Sequence, residues 1–148
     1  MRYNGVLAFD DGLENVLLVL KQHGPKHLRG TWNGIGGKME EAESPVGGAV
    51  REFAEETGIH LTKDDLVAVE HQRFLTGHDA GNEVYWYATR VNSVGLALAR
   101  NDVGERIDCW PVEYILSKRA DLTLAPNMVY LIPKARRFLQ LNYLDRPH

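Results

Sequence analysis

Both ends of a helix are written between Ser44 and Gly58, and the side chains in between limit what that helix can pack against. Ser44-Pro45 has the form of an N-cap followed by proline at the first helical position, where a missing N–H does no harm. Gly58 suits a left-handed C-terminal cap, so the helix is expected to run to about Thr57. Val46, Val50, Phe53 and Thr57, spaced i, i+4, i+7 and i+11, read as the stripe that buries against a sheet. Glu52, Glu55 and Glu56 fall within roughly a 100° arc of one turn, beside that stripe and near the rim of the core.

That acidic turn is a poor arrangement for stability alone. Like charges three or four residues apart cost about 0.2–0.5 kcal/mol per pair. Negative charge near a helix C-terminus opposes the macrodipole by about 0.3–1 kcal/mol. Gly47 and Gly48 in the first turn add about 1 kcal/mol each relative to alanine. A hard divalent cation such as magnesium would reverse the repulsion, because it takes oxygen ligands and keeps some of its own water. A carbonyl from the glycine-rich stretch Trp32 to Lys38 would complete such a site. Arg51, four residues before Glu55, can pair with an acid such as Glu43 and hold the preceding loop against the helix. A solvated acidic helix face is the competing reading, and spacing alone leaves both open.

Around this helix the chain reads as strands. Gly5 to Phe9 and Asn15 to Leu20 are apolar runs split by the turn signal Asp10-Asp11-Gly12. Leu66 to Leu75 and Glu83 to Val91 read as two more, joined by a loop over Gly77 to Gly81, and Ile107 to Val112 as a short one. Lys21 to Thr31 is a polar, basic loop. Met128 to about Leu139 reads as a closing helix, with Pro133 expected to kink its early turns. Strands on both sides of a central helix predict a mixed sheet covered by helices. No repeat or linker interrupts the 148 residues, so one domain is expected over 1–148.

The decisive pattern is longer than the acidic turn. Gly37, five residues, Glu43, seven residues, then Arg51-Glu52-Phe53-Ala54-Glu55-Glu56-Thr57-Gly58-Ile59 agrees with the Nudix box at every defined position. Seven fixed residues at roughly 7% background each coincide by chance about once in 10⁸ placements. The chain therefore resembles the Nudix hydrolases over Gly37 to Ile59. The resemblance implies an α/β fold, an α/β/α sandwich around a mixed sheet. It implies magnesium or manganese held by Glu52, Glu55 and Glu56 with the Gly37 carbonyl, and acids oriented by Arg51. Glu105 resembles a loop glutamate that joins the metal site in relatives. The implied catalytic set is Glu55, Glu56, Glu52 and Arg51, with Glu55 or Glu56 taking the proton of the attacking water.

Outside the box, Trp32-Asn33-Gly34-Ile35-Gly36-Gly37-Lys38 resembles the matching stretch of the MutT-type sanitising enzymes, where the residue matching Asn33 contacts a purine base. Pro126-Asn127 resembles the pair that reads the base edge in those enzymes; the competing reading of Asn127 is an N-cap for the last helix. An amide offers both a donor and an acceptor, which suits a purine edge. Lys38 is the cation expected to meet phosphates, with Lys21, Lys26 and Arg29 taken as solvated loop charges. The histidines (His23, His27, His60, His71, His78, His148) show no metal spacing and are expected at the surface or in loops. Either Trp86 or Tyr87 can face a pocket, with packing the default.

Three functions follow as expectations. The leading one is hydrolysis of a nucleoside triphosphate, including an oxidised purine such as 8-oxo-dGTP, to monophosphate and pyrophosphate. The second is an ADP-ribose or nucleotide-sugar pyrophosphatase, and the third a non-catalytic nucleotide-sensing module. The net charge of -3 argues against a sequence-independent grip on nucleic acid, so a nucleoside di- or triphosphate derivative is the expected partner, on a monomer or homodimer. Cys109 is the only cysteine, which rules out an intrachain disulfide. With no apolar run of roughly 20 residues, no membrane span is expected, and the protein reads as cytoplasmic.

Overall fold

The computed structural model describes residues 1–101, 104–118 and 120–144. His148 lies outside them. Along the chain run β1 (Arg2–Phe9), β2 (Asn15–Leu20), β3 (Trp32–Asn33), β4 (Ile35–Lys38), α1 (Pro45–Thr57), β5 (Val67–Arg73), β6 (Glu83–Arg90), α2 (Ser93–Ala97), β7 (Arg106–Pro111), α3 (Val112–Ile115) and α4 (Met128–Leu144). The strands form one mixed sheet in the order β3-β2-β1-β6-β5, with β4 paired to β1 and β7 to β2. β1 and β6 are parallel, with Gly5 opposite Trp86; the other pairings are antiparallel.

Alternation along β1 divides the core. Val6 and Ala8 point to α1 and join Leu17, Val19, Ile35, Ala49 and Phe53. Leu7 and Phe9 point to α4 and join Val16, Leu18, Met128, Leu131 and Ile132. Helices thus cover both faces, which is the expected α/β/α sandwich. No described helix is long and apolar enough to cross a membrane.

Helix α1 forms as its caps dictate. Ser44 Oγ accepts the Gly47 N–H at 3.1 Å, and Gly58 adopts φ 76° with its N–H on the Ala54 carbonyl. The buried face, however, is Gly48, Ala49, Phe53 and Thr57; Val46 and Val50 are only partly buried. The expected stripe is rotated because the helix rests on its smallest residues: a Cβ at Gly48 would lie 2.7 Å from Asn4 Nδ2 of β1. Gly48 is therefore a point of close approach rather than a mere weakness of the helix.

Four other elements differ from expectation. Helix α4 continues through Pro133 to Leu144, five residues past the expected end at Leu139. The carbonyl that loses its donor there belongs to Val129, at a water-exposed position. The short helices α2 and α3 follow β6 and β7 without a periodic pattern long enough to announce them. Strand β5 carries a register shift between Ala68 and Glu70. Val67 and Val69 both join the α4-side core, and beyond the shift Glu70 and Gln72 face that same side. His71 instead stacks on Tyr85, across the sheet from Trp86.

Candidate functional site

Helix α1 and strand β4 meet at Gly37. A Cβ there would sit 2.8 Å from Glu52 Oε2, so the glycine lets this carboxylate lie against the strand's backbone and a side chain would displace it. Arg51 organises the surrounding acids. Its Nε and Nη2 donate to Glu43 Oε2 and Oε1 at 2.6 and 3.0 Å, its Nη1 to Glu55 at 3.1 Å, and Nη2 lies 3.2 Å from Glu52 Oε1. Glu43 Oε1 also accepts the Glu40 N–H at 3.0 Å, so the box loop is pinned to the helix as expected. The Arg51 guanidinium, helped by that N–H, pulls the Glu43 pKa from 4.5 to about 2.

Glu52 and Glu56 behave oppositely. Burial pushes both above the usual carboxylate range, with Glu55 and the other acids adding to it and Arg51, Asn101 and Lys21 opposing it. Asn101 Nδ2 donates to Glu56 Oε2 at 2.6 Å. Glu55 is more open, its side chain 58% exposed and turned to Arg51. Among the described residues, no three acidic, histidine or cysteine side chains converge tightly as they stand.

Glu105 is buried, unlike an ordinary loop acid. Its Oε2 accepts the N–H groups of Gln22 and His23 at 2.7 and 3.2 Å, and Lys21 Nζ lies 3.5 Å from Oε1. Burial disfavours its charge, but those N–H groups and Lys21 outweigh it and bring the pKa below the usual range. Glu105 thereby fastens the start of the 21–31 loop beside Glu56. Lys21 is not a solvated loop charge: it is largely covered, and it faces Glu105 within the field of Glu56.

Next to these acids opens a cleft of about 380 Å³ on the α4 side of the sheet. Gly37, which touches Glu52, and Lys21 line it together with Asn33, Asn127, Trp86 and Phe74. Asn33 and Asn127 therefore face one cavity, although 93 positions separate them along the chain. Asn33 Oδ1 accepts the Gly34 N–H at 2.8 Å. Asn127 commits its Nδ2 to Gln72 Oε1 at 3.1 Å. Trp86 covers Gly5 and Gly34, where a Cβ would come within 2.3 and 2.6 Å of its ring. Tyr87 packs on the opposite face, towards α1.

Lys38 is exposed and lines a separate surface groove with Arg2, Met39 and Glu40, not the cleft. His27 and Asp79 line the cleft mouth, where His27 Nε2 is 3.3 Å from Asp79 Oδ2 and its ring stacks on His78 at 4.7 Å. These contacts join two loops far apart in sequence, and His27 itself is exposed, as expected of it. Gln72 and Asn101 carried no signal in the sequence, because a lone amide in a polar context looks the same wherever it sits.

A mixed sheet between helices, with a cluster of acids on one helix beside an amide-lined cleft, places the chain in the α/β class with one candidate site. The NUDIX domain pattern matches residues 2–131, and the chain belongs to that family. It is similar to an oxidized purine nucleoside triphosphate hydrolase of Mus musculus, 44% identical over 61 residues, or 41% of this chain and 36% of the mouse protein. This chain spans little more than a third of the length of the curated relatives it matches. Among solved structures, a MutT NUDIX hydrolase from Burkholderia pseudomallei superposes with TM-score 0.69 at 17% identity, covering 90% of this chain and 95% of that one. The NUDIX domain of Shewanella oneidensis NrtR, crystallised with ADP ribose, gives TM-score 0.69 at 20% identity, covering 94% and 88%.

Proposed function

We propose that this Nudix hydrolase cleaves a nucleoside triphosphate to a monophosphate and pyrophosphate, with the base in the cleft and the phosphates at the acids of α1. The observation that carries this reading is the shared cleft: Asn33, Asn127 and Gly37 all line it, and Glu52 lies against Gly37. An amide pair suits a purine edge, and the mouse relative acts by name on oxidised purines.

The acid set fits a divalent cation. Its donors are hard oxygens, Glu52 rests in a cradle that a Cβ at Gly37 would fill, and burial holds Glu52 and Glu56 in want of positive charge. Glu52, Glu55, Glu56 and the Gly37 carbonyl would hold magnesium or manganese, with Glu105 at the edge of the set. When bound, the cation neutralises phosphate charge and lowers the pKa of attacking water. Arg51 keeps Glu52 and Glu55 aligned, and of the two candidate bases, Glu55 and Glu56, we assign the water's proton to Glu56, whose carboxylate is steadied by Asn101. Lys21 takes the phosphate-facing role expected of Lys38, because it lines the cleft.

A second reading follows from the ADP-ribose complex of the Shewanella neighbour: the same acids would cut the diphosphate of ADP-ribose. The test is a magnesium-dependent screen of dNTPs, 8-oxo-dGTP and ADP-ribose, with Glu56→Gln as control. Pyrophosphate released from one preferred triphosphate and lost in the variant is expected. AMP released from ADP-ribose alone would transfer the assignment to the second reading.

A further inference from the structure

Behind the cleft wall, β5 and α4 share a chain of polar contacts, of which the hydrolytic reading uses Asn127 alone. Lys134 Nζ donates to Glu70 Oε1 at 2.7 Å, and the Tyr130 hydroxyl donates to the same oxygen. Glu70 Oε2 accepts Gln72 Nε2 at 2.7 Å. Gln72 Oε1 then accepts two N–H groups at 3.1 Å each, from Trp86 Nε1 and Asn127 Nδ2. Of these residues only Trp86 and Asn127 line the cleft.

The direction of this chain follows from groups that cannot be turned around. An indole N–H only donates, so the Gln72 atom facing Trp86 has to be the oxygen. An ionised carboxylate only accepts, and Lys134 and Tyr130 keep Glu70 ionised, so the atom facing it has to be the Gln72 nitrogen. With both ends of Gln72 dictated, Asn127 meets a fixed acceptor and turns its Nδ2 towards it. Its Oδ1 is then the atom left for the cleft. Asn33 is held the other way: its Oδ1 faces the Gly34 N–H, so its Nδ2 is the end turned away from that backbone group.

We propose that Gln72 is a specificity-determining positioning residue: it holds Asn127 as an acceptor opposite a donor from Asn33, and so selects a base that turns an N–H towards Asn127. The proposal rests on the base-in-cleft reading given above. A base with a lone pair at that position meets the Asn127 oxygen and is rejected, since flipping the amide breaks its bond to Gln72.

The test uses the full chain with magnesium and compares kcat/KM over dGTP, dATP, dCTP, dTTP and 8-oxo-dGTP. Gln72→Met keeps the length of the side chain and removes the acceptor. It is expected to shrink the ratio of best to second-best substrate about tenfold, through KM, with kcat held. The double variant Glu70→Gln with Gln72→Glu restores an acceptor at 72 and a donor at 70, and is expected to recover the ratio. If Gln72→Met does not fold, Tyr130→Phe with Lys134→Met loosens Glu70 from the outer side of α4 and is expected to move the ratio in the same direction. An unchanged ratio in a folded variant would overturn the role of Gln72 and leave the hydrolase standing. Binding of the matching monophosphates, measured by calorimetry without metal, separates the two failures. No hydrolysis and no binding by the wild type would sink the base-in-cleft reading and this proposal with it.

Discussion

At Glu56 a carboxylate is half-buried, with Glu55 and Glu105 adding negative field and Asn101 and Lys21 relieving it. Removing the charge while keeping an acceptor for Asn101 should help the fold and harm the site. Glu56→Gln is expected to stabilise the metal-free protein by roughly 0.5 kcal/mol, the scale of a like-charge pair on a helix. The same variant should lose most of its stabilisation by magnesium and its hydrolysis; thermal melts with and without the ion read both. A destabilised metal-free variant would mean that Glu56 serves packing. Arg51 calls for a different substitution. Its fork spans Glu43 while also reaching Glu55, a geometry that a point charge cannot copy. Arg51→Lys is therefore expected to cost about 1–2 kcal/mol in chemical denaturation, despite the conserved charge. Equal stability would show that the fork adds nothing over a simple cation.

Helix α1 brings these residues to β4, and its two caps define its length. Ser44→Ala removes the acceptor of the Gly47 N–H and should cost about 1 kcal/mol. Gly58→Ala forces an L-residue into a φ of 76° and should cost about 1–2 kcal/mol. Urea midpoints check both, and an unchanged midpoint in either would remove that cap from the account. Among the elements, α1 was the most legible in the sequence, since serine, proline and glycine act within their own turn. The rotation of its buried face was not legible, because it depends on how closely the helix lies on Asn4 of another strand. Strand β5 was legible as a strand and illegible in facing. Its register shift moves the even-numbered Glu70 and Gln72 to the side that Val67 would otherwise keep for odd positions.

The charge balance of the whole molecule gives a pH signature. Glu43, Glu70, Glu83, Glu105 and Asp10 have folded pKa values below the usual carboxylate range, so their stabilisation is present near neutral pH. It is lost as pH falls through those depressed values, about 2 for Glu43. Glu52 and Glu56 have raised values, so they favour the fold below the usual range and lose that contribution as pH rises through their folded values. The metal-free protein is therefore expected to melt highest in weak acid, above the usual carboxylate pKa, and lower on both sides. Magnesium should remove the decline towards neutral pH, because it needs both carboxylates ionised. Melting temperatures from acid to neutral pH, with and without magnesium, measure this. An identical profile in both conditions would contradict a cation site on α1.

What the sequence by itself determined is local: the span of α1, the side-by-side acids on its last turns, the pairing of Arg51 with Glu43, and the family pattern from Gly37 to Ile59. Each depends on residues within a few turns or on a fixed spacing along one short segment. The tertiary structure alone decided the rest. It brought Asn33 and Asn127 to one cleft, put Lys21 rather than Lys38 on its wall, buried Glu105 against the 21–31 loop, and set Gln72 behind Asn127. Those relations depend on strand order and on a one-residue slip in β5. Which face a side chain reaches in a sheet is decided by pairing with strands far away in the chain.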